Sequence, residues 1–172
     1  MSYSKTVIEG ERIILKLVSI DYAKDIYKEF NQEITLYMLP KQASDIRETL
    51  EFITTSELKA LDGTDFTYMI LDKDTHEFLG CGGVHHLDRQ IPELGIWIKK
   101  GAHGHHYGLE AVKTSYQYFK DQYQGFIYPV DRRNIASKKI AQSLGGTLDS
   151  KYTQKNASGK ILYLEKYVIK TN

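Results

Sequence analysis

The most chemically suggestive run is Pro92-Glu-Leu-Gly-Ile-Trp-Ile-Lys-Lys-Gly-Ala-His-Gly-His-His-Tyr-Gly-Leu-Glu-Ala-Val. A β-type segment passes into a loop of Gly and His, then directly into a helical pattern. A helix start leaves N–H groups unbonded at the positive end of the helix dipole, so a strand–loop–helix joint can hold an anionic phosphate. Glycine lets the backbone approach the phosphate oxygens, and Lys99 and Lys100 add positive charge. The same residues also suit a plain strand-to-helix connection with surface lysines. A second run, Val130-Asp-Arg-Arg-Asn-Ile-Ala-Ser, puts Asn134 at a helix start with Ser137 three residues on. Asn134 is either an N-cap for the Ser137 N–H or a side chain facing a ligand.

Other side chains could move a proton. His85 and His86 end a strand, and strand alternation lets only one of them face a given side. Glu93 shares a face with Gly95 and Trp97 and is either a base or an exposed carboxylate. Cys81 sits mid-strand beside Gly82 and Gly83. It reads as a buried small hydrophobe, and the glycines mark a bulge or a close approach. His103, His105 and His106 cluster, but neither their spacing nor the single cysteine is that of a zinc site, so no metal is expected. Tyr37, Met38 and Leu39 are either pocket lining or a packed loop.

The elements that must position these residues follow from periodicity. Arg12 to Val18 is a strand. Ser19 or Asp21 caps a helix carrying Ala23, Ile26, Tyr27 and Phe30. Asp45 and Glu48 form a capping box for a helix with Ile46, Leu50, Ile53 and Leu58 on one face, ended by Gly63. Phe66–Leu71 and Phe78–Leu87 form a hairpin, followed by a strand at Pro92–Lys99. After the Gly101–Gly108 loop comes a helix with Leu109, Val112, Tyr116 and Phe119 on one side. Then come a strand at Gly125–Val130, a helix at Asn134–Leu144, and strands at Thr147–Thr153 and Lys160–Ile169. The order β-α-α-β-β-β-α-β-α-β-β is mixed α/β, with an antiparallel meander followed by a crossover.

No repeat or linker divides residues 1–172, which read as one domain. A net charge of +1 lacks the basic excess of a nucleic-acid binder. No apolar stretch reaches the length of a membrane span or a signal segment, and one cysteine suits a reducing, cytoplasmic setting. Most of the 13 tyrosines are expected on half-buried strand faces.

Taken together, Gly10-Glu-Arg-Ile-Ile-Leu-Lys-Leu, Glu93-Leu-Gly-Ile-Trp-Ile, His103-Gly-His-His-Tyr-Gly-Leu-Glu-Ala, Asn134-Ile-Ala-Ser and Ser143-Leu-Gly-Gly resemble the signature regions of the GNAT superfamily. The similarity is to the branch of RimJ/RimL-type acetyltransferases, and it spans roughly residues 9 to 170. It implies a mostly antiparallel twisted sheet of about seven strands with helices on both faces, splayed between the fourth and fifth strands. It also implies acetyl-CoA as cosubstrate and a primary amine as acceptor, either a protein N-terminus or a small molecule, in a monomer or homodimer. The pyrophosphate would rest on His103, Gly104, His105, His106, Tyr107 and Gly108. The pantetheine would run along the fourth strand toward Ile98, with Asn134 bonding it. Of the residues able to move a proton, Glu93 or one of His85 and His86 is expected to relay the amine proton. Two positions depart from the family pattern. His106 stands where the family prefers Gly, and Ala141 stands where many members carry the Tyr that protonates the leaving thiolate, so that role passes to Ser137, to a water or to no group. A non-catalytic acyl-CoA-binding module and a nucleotide-binding interaction domain are the competing readings.

Overall fold

The computed structural model describes residues 2–171. Its eight strands form one sheet in the order β1-β2-β3-β4-β5-β6-β8-β7. They are β1 Val7–Glu9, β2 Ile13–Leu17, β3 Phe66–Asp72, β4 Phe78–His85, β5 Glu93–Ile98, β6 Gly125–Asp131, β7 Thr147–Lys155 and β8 Ile161–Lys170. Every neighbouring pair is antiparallel except β5 and β6. The four helices are α1 Ala23–Glu29, α2 Ile46–Asp62, α3 Tyr107–Phe119 and α4 Ile135–Ser143.

Alternation along β3 shows why the sheet is covered on both sides. Phe66, Tyr68 and Ile70 turn into a core that includes Ala111, Val112 and Phe119 of α3 and Ala141 of α4. Met69 and Leu71 turn the other way, toward Ile26 of α1 and Ile53 of α2. A central strand buried on both faces reads as a continuous apolar run, which is what β3 is.

β5 and β6 share a single register pair, Glu93 with Ile127, secured by the Ile127 N–H donating to the Pro92 carbonyl at 2.8 Å. Beyond it the parallel strands diverge, while β6 keeps seven register pairs with β8. The expected splay between the fourth and fifth strands is therefore the opening between β5 and β6.

Several sequence expectations need correction. The expected sheet of about seven strands is present with one addition, the short β1 paired to β2. Only Ile8 of its three residues is buried, too short a pattern to show as alternation. The strand expected to reach Leu87 stops at His85, since His86 takes a left-handed φ of 60°. On α2 the buried stripe is Thr49, Ile53, Ser56 and Ala60, with Leu58 60% exposed. Leu58 lies five residues from Ile53, well round the helix from it. Asp45 caps α2 by accepting the Arg47 N–H, while Glu48 reaches back to the Ser44 N–H rather than to its own cap. Only five of the 13 tyrosines, Tyr68, Tyr128, Tyr152, Tyr163 and Tyr167, lie on strands. Others fill aromatic packing at the α3 end, such as Tyr116 and Tyr123 against Phe126.

Candidate active site

The opening between β5 and β6 widens into a largely apolar cleft with a volume of ≈ 470 Å³. His85, Glu93, Asn134 and Ser137 all line it. His85 and Glu93 are direct cross-strand partners on β4 and β5, so the two candidate bases share one face of the sheet. His86 is not among the cleft-lining residues, and its N–H donates to Asp65 Oδ1 at 2.8 Å.

The His85 ring is held rather than loose. Its Nδ1 is 3.2 Å from Asp65 Oδ2, and the ring lies across Gly83. A Cβ on Gly83 would fall 2.4 Å from His85 Nε2, so the ring position requires glycine there. Gly82 has the same cause from another side, since its Cβ would meet the Tyr68 ring at 2.7 Å. Close approach therefore explains both glycines. The sheet irregularity lies nearby, where Ile70 pairs with Gly80 and Leu71 with Phe78, leaving Leu79 over. Cys81 is buried against the α1–α2 core, and burial pushes its thiol well above the ordinary range, as for an inert core cysteine.

Asp65 is 5% exposed. Burial opposes its ionisation, but bonds from His85, the His86 N–H and Lys59 outweigh that cost and hold its carboxyl well below the usual carboxylate range. Sequence reading missed Asp65. Nothing in its neighbours marks it, because its partners come from α2 and the end of β4.

The β6–α4 side supplies hydroxyls. Asn134 Oδ1 accepts the Ser137 N–H at 3.2 Å, so the N-cap reading holds and leaves the Asn134 amide NH₂ for a ligand. Ser137 Oγ is 2.9 Å from the Tyr128 hydroxyl, which β6 projects into the same cleft. Burial pushes the Tyr128 phenol up to about 12, the Ser137 bond working against it. Ala141 is fully buried in the core and presents no polar group.

At the other end of the splay, His103 to His106 are exposed before α3. Gly104 (φ 83°) and His106 (φ 62°) both take left-handed backbone, and His106 is the residue before α3. A left-handed φ explains a preference for Gly at that position as directly as ligand crowding does. The first-turn N–H groups of Tyr107, Gly108 and Leu109 face outward without intrahelical acceptors. Gly108 also lets α3 close on its neighbours, since a Cβ would lie 3.3 Å from Ile140 and 3.5 Å from Ile98. Arg12, unremarked in the sequence, fastens this loop. It donates to the His105 carbonyl at 3.0 Å, pairs with Glu110 at 2.8 Å and lies over the Tyr107 ring.

The edge of β5 is prepared for a ligand. The Lys99 N–H bonds the Leu79 carbonyl on the β4 side, so by alternation Leu94, Ile96 and Ile98 turn their backbone groups toward β6. Only Leu94 is level with the β5–β6 register pair, which leaves Ile96 and Ile98 facing the gap. His103 Nε2 sits 2.7 Å from the Ile98 carbonyl, so that acceptor is already engaged. His103, His105 and His106 do not converge; among the described residues no three His, Cys, Asp or Glu side chains form a metal-binding group.

A sheet opened between two parallel strands, with a helix N-terminus at one end of the gap and proton-bearing groups lining it, is a ligand cleft whose groups suit a group-transfer enzyme. The acetyltransferase (GNAT) domain family matches residues 12–147, and the chain belongs to that family. Among curated proteins, none matches it by sequence. Solved structures similar in fold include the microcin C7 self-immunity acetyltransferase MccE in complex with acetyl-CoA and AMP. That match has a TM-score of 0.80 and 20% identity, covering 92% of each chain. RimL, a ribosomal L7/L12 α-N-protein acetyltransferase in complex with coenzyme A, aligns at TM-score 0.80 and 15% identity over 95% of this chain and 97% of its own. An acetyltransferase from Salmonella typhimurium that modifies the N-terminal serine of L7/L12 gives 0.80 and 14%, over 97% and 100%.

Proposed function

We propose that this chain is a single-domain acetyltransferase, cytoplasmic in setting, moving the acetyl group of acetyl-CoA to a primary amine by direct attack. The observation that carries the catalytic reading is the placement of His85 and Glu93 opposite each other in the cleft, facing Ser137 and Tyr128 across the splay. A module that only bound an acyl-CoA would have no need of groups able to move protons at the thioester end.

Acetyl-CoA supplies an activated thioester carbonyl when bound. The first-turn N–H groups of α3 and the loop His103–Gly108 fit its pyrophosphate, and the free edge at Ile96 with the Ile98 N–H fits its pantetheine amides. Asn134 uses its carbonyl oxygen in the helix cap and offers its NH₂ to the same arm. The Ile96 N–H suits the thioester oxygen as charge builds there. Glu93 draws the acceptor ammonium in by charge, and His85 Nε2 takes its proton, directly or through water. The freed amine forms the C–N bond as the C–S bond breaks, and the proton shed by the new amide nitrogen passes to water as the thiolate draws one from it. Ser137 donates a hydrogen bond to the departing sulfur, oriented by Tyr128.

That RimL and the Salmonella typhimurium enzyme act on a protein supports a protein N-terminus as one acceptor class, with small-molecule amines as the other. The deciding experiment is acetyl-CoA-dependent thiol release against a panel of N-terminal peptides and small amines. We expect release with at least one acceptor class and none without an amine. Tight acetyl-CoA binding with no release across the panel would favour a binding module.

A further inference from the structure

We propose that Asp65 is a positioning residue that fixes the tautomer and ring orientation of His85, so that Nε2 faces the cleft as a proton acceptor. This rests on His85 as the relay in the reading above.

Asp65 sits between α2 and β3, outside the cleft, and both its oxygens are engaged. Oδ1 accepts the His86 N–H at 2.8 Å. Oδ2 faces His85 Nδ1 at 3.2 Å and Lys59 Nζ at 3.1 Å. A carboxylate offers no proton, so the hydrogen of this bond belongs to Nδ1. Neutral imidazole carries one N–H, so Nε2 keeps its lone pair, and Nε2 is the nitrogen lying over Gly83 and 3.8 Å from where a Gly95 Cβ would stand. Held by the opposite tautomer, the ring would present an N–H to the cleft and could not take a proton from an ammonium.

The backbone around this grip is shaped for it. His86 holds a left-handed φ of 60°, a conformation that non-glycine residues adopt at a cost, and its N–H is one of the groups Asp65 binds. Ending β4 there turns the His85–His86 peptide toward Asp65 while His85 itself stays in register with Glu93. The charged groups facing the ring are Asp65, with Lys59 of α2 behind it, and Glu93 across β5. Lys59 is half exposed and pairs with Asp65, not with the ring.

The test is the protonation pattern of the His85 ring nitrogens by ¹⁵N NMR at about pH 8, where a free imidazole is neutral. In the parent we expect Nδ1–H and a bare Nε2. In Asp65→Asn the amide oxygen stays with the His86 N–H and the NH₂ turns to Nδ1, so the ring should switch to Nε2–H. Turnover should then fall about 100-fold, the usual worth of a general base, with the acetyl-CoA KM little changed. Lys59→Gln should leave the parental tautomer. A parental ring already in the Nε2–H form overturns the proposal, and that measurement needs no variant to fold. So does an Asp65→Asn protein that keeps Nδ1–H and full turnover. Full activity in His85→Gln alongside a tautomer switch in Asp65→Asn would instead uphold the positioning by Asp65 and remove His85 from the reaction.

Discussion

At the scale of single residues, the site spreads the work of one missing side chain over two. Ala141 is buried and apolar, and in the proposed reaction the hydroxyl at the thioester end is that of Ser137, which lies 2.9 Å from the Tyr128 hydroxyl. With its phenol pushed up to about 12, Tyr128 stays protonated at any working pH and acts as a donor, not as an acid. Ser137 can therefore stabilise the departing sulfur by a hydrogen bond while solvent completes its protonation. We expect Ser137→Ala to lower turnover about tenfold. Tyr128→Phe should cost less, about fivefold, the rate equivalent of one ordinary hydrogen bond of about 1 kcal/mol. Steady-state thiol release measures both; a Tyr128→Phe loss larger than that of Ser137→Ala would reverse the assigned order. His106 makes a different point. Its φ of 62° suits glycine, so His106→Gly should raise stability by about 1 kcal/mol in a denaturant melt. Sequence marked the position as unusual through family pattern alone; the backbone angle supplies the physical cause. The roles of Asp65 and Arg12 stayed invisible because each acts through partners on other elements, Asp65 on His85 of β4 and Lys59 of α2 and Arg12 on the loop before α3.

At the scale of elements, sequence legibility follows how local the cause is. Asp45 and Gly63 bracket α2 through caps within a few residues, the Asp45 side chain accepting the Arg47 N–H and Gly63 taking φ 82°, and both ends were readable. The buried stripe of α2 was misplaced because what decides it is the sheet beneath, which is not a local cause. The glycines of β4 show the same limit. Their spacing signals close approach but not which side chain approaches. Gly83→Ala tests the answer directly. A Cβ at that point displaces the His85 ring from its bond with Asp65, and because that side chain is one-third exposed the ring can turn toward solvent, so the fold should survive. We expect a melting temperature within a few degrees of the parent and turnover reduced at least about tenfold, as for loss of a positioned base. Retained turnover would place the working position of His85 elsewhere.

At the scale of the whole molecule, buried carboxylates set the response to acid. Asp65, Asp131 and Glu165 are nearly or wholly buried and all sit below their ordinary range. For Asp65 and Asp131 burial works against ionisation and hydrogen bonds overcome it; for Glu165 the Lys138 bond leads. A folded-state value below the unfolded one means the stabilisation is complete above about pH 4, near the ordinary carboxylate value, and is lost as pH falls toward the folded value. Thermal melts should therefore be level near neutrality and drop steeply below about pH 4, with a shallower drop in Asp65→Asn.

The same scale governs what acetyl-CoA should do to the protein. Strands β1 to β5 and strands β6 to β8 share one register pair, Glu93 with Ile127; the packing of α3 and α4 on the sheet, and the bonds of the β7–β8 turn to the Met38 and Leu39 carbonyls, also join the two parts. In the proposed binding mode a ligand lying in the splay would bond the free edge of β5 on one side and Asn134 of the β6–α4 turn on the other, and so would tie the two parts together. Binding only the folded state at about 100 times its Kd adds about 2.7 kcal/mol, which for a chain of this size raises the melting temperature by roughly 5–10 °C. Hydrogen exchange locates the tie. Protection should rise at the N–H groups of Ile96 and Ile98, through the first turn of α3, and around Ser137, on both sides of the gap together. Protection confined to the start of α3 would mean that the loop holds a phosphate group while the pantetheine arm stays outside the splay. In that case the thioester would never reach His85, and a nucleotide such as ATP should produce the same melting shift as acetyl-CoA.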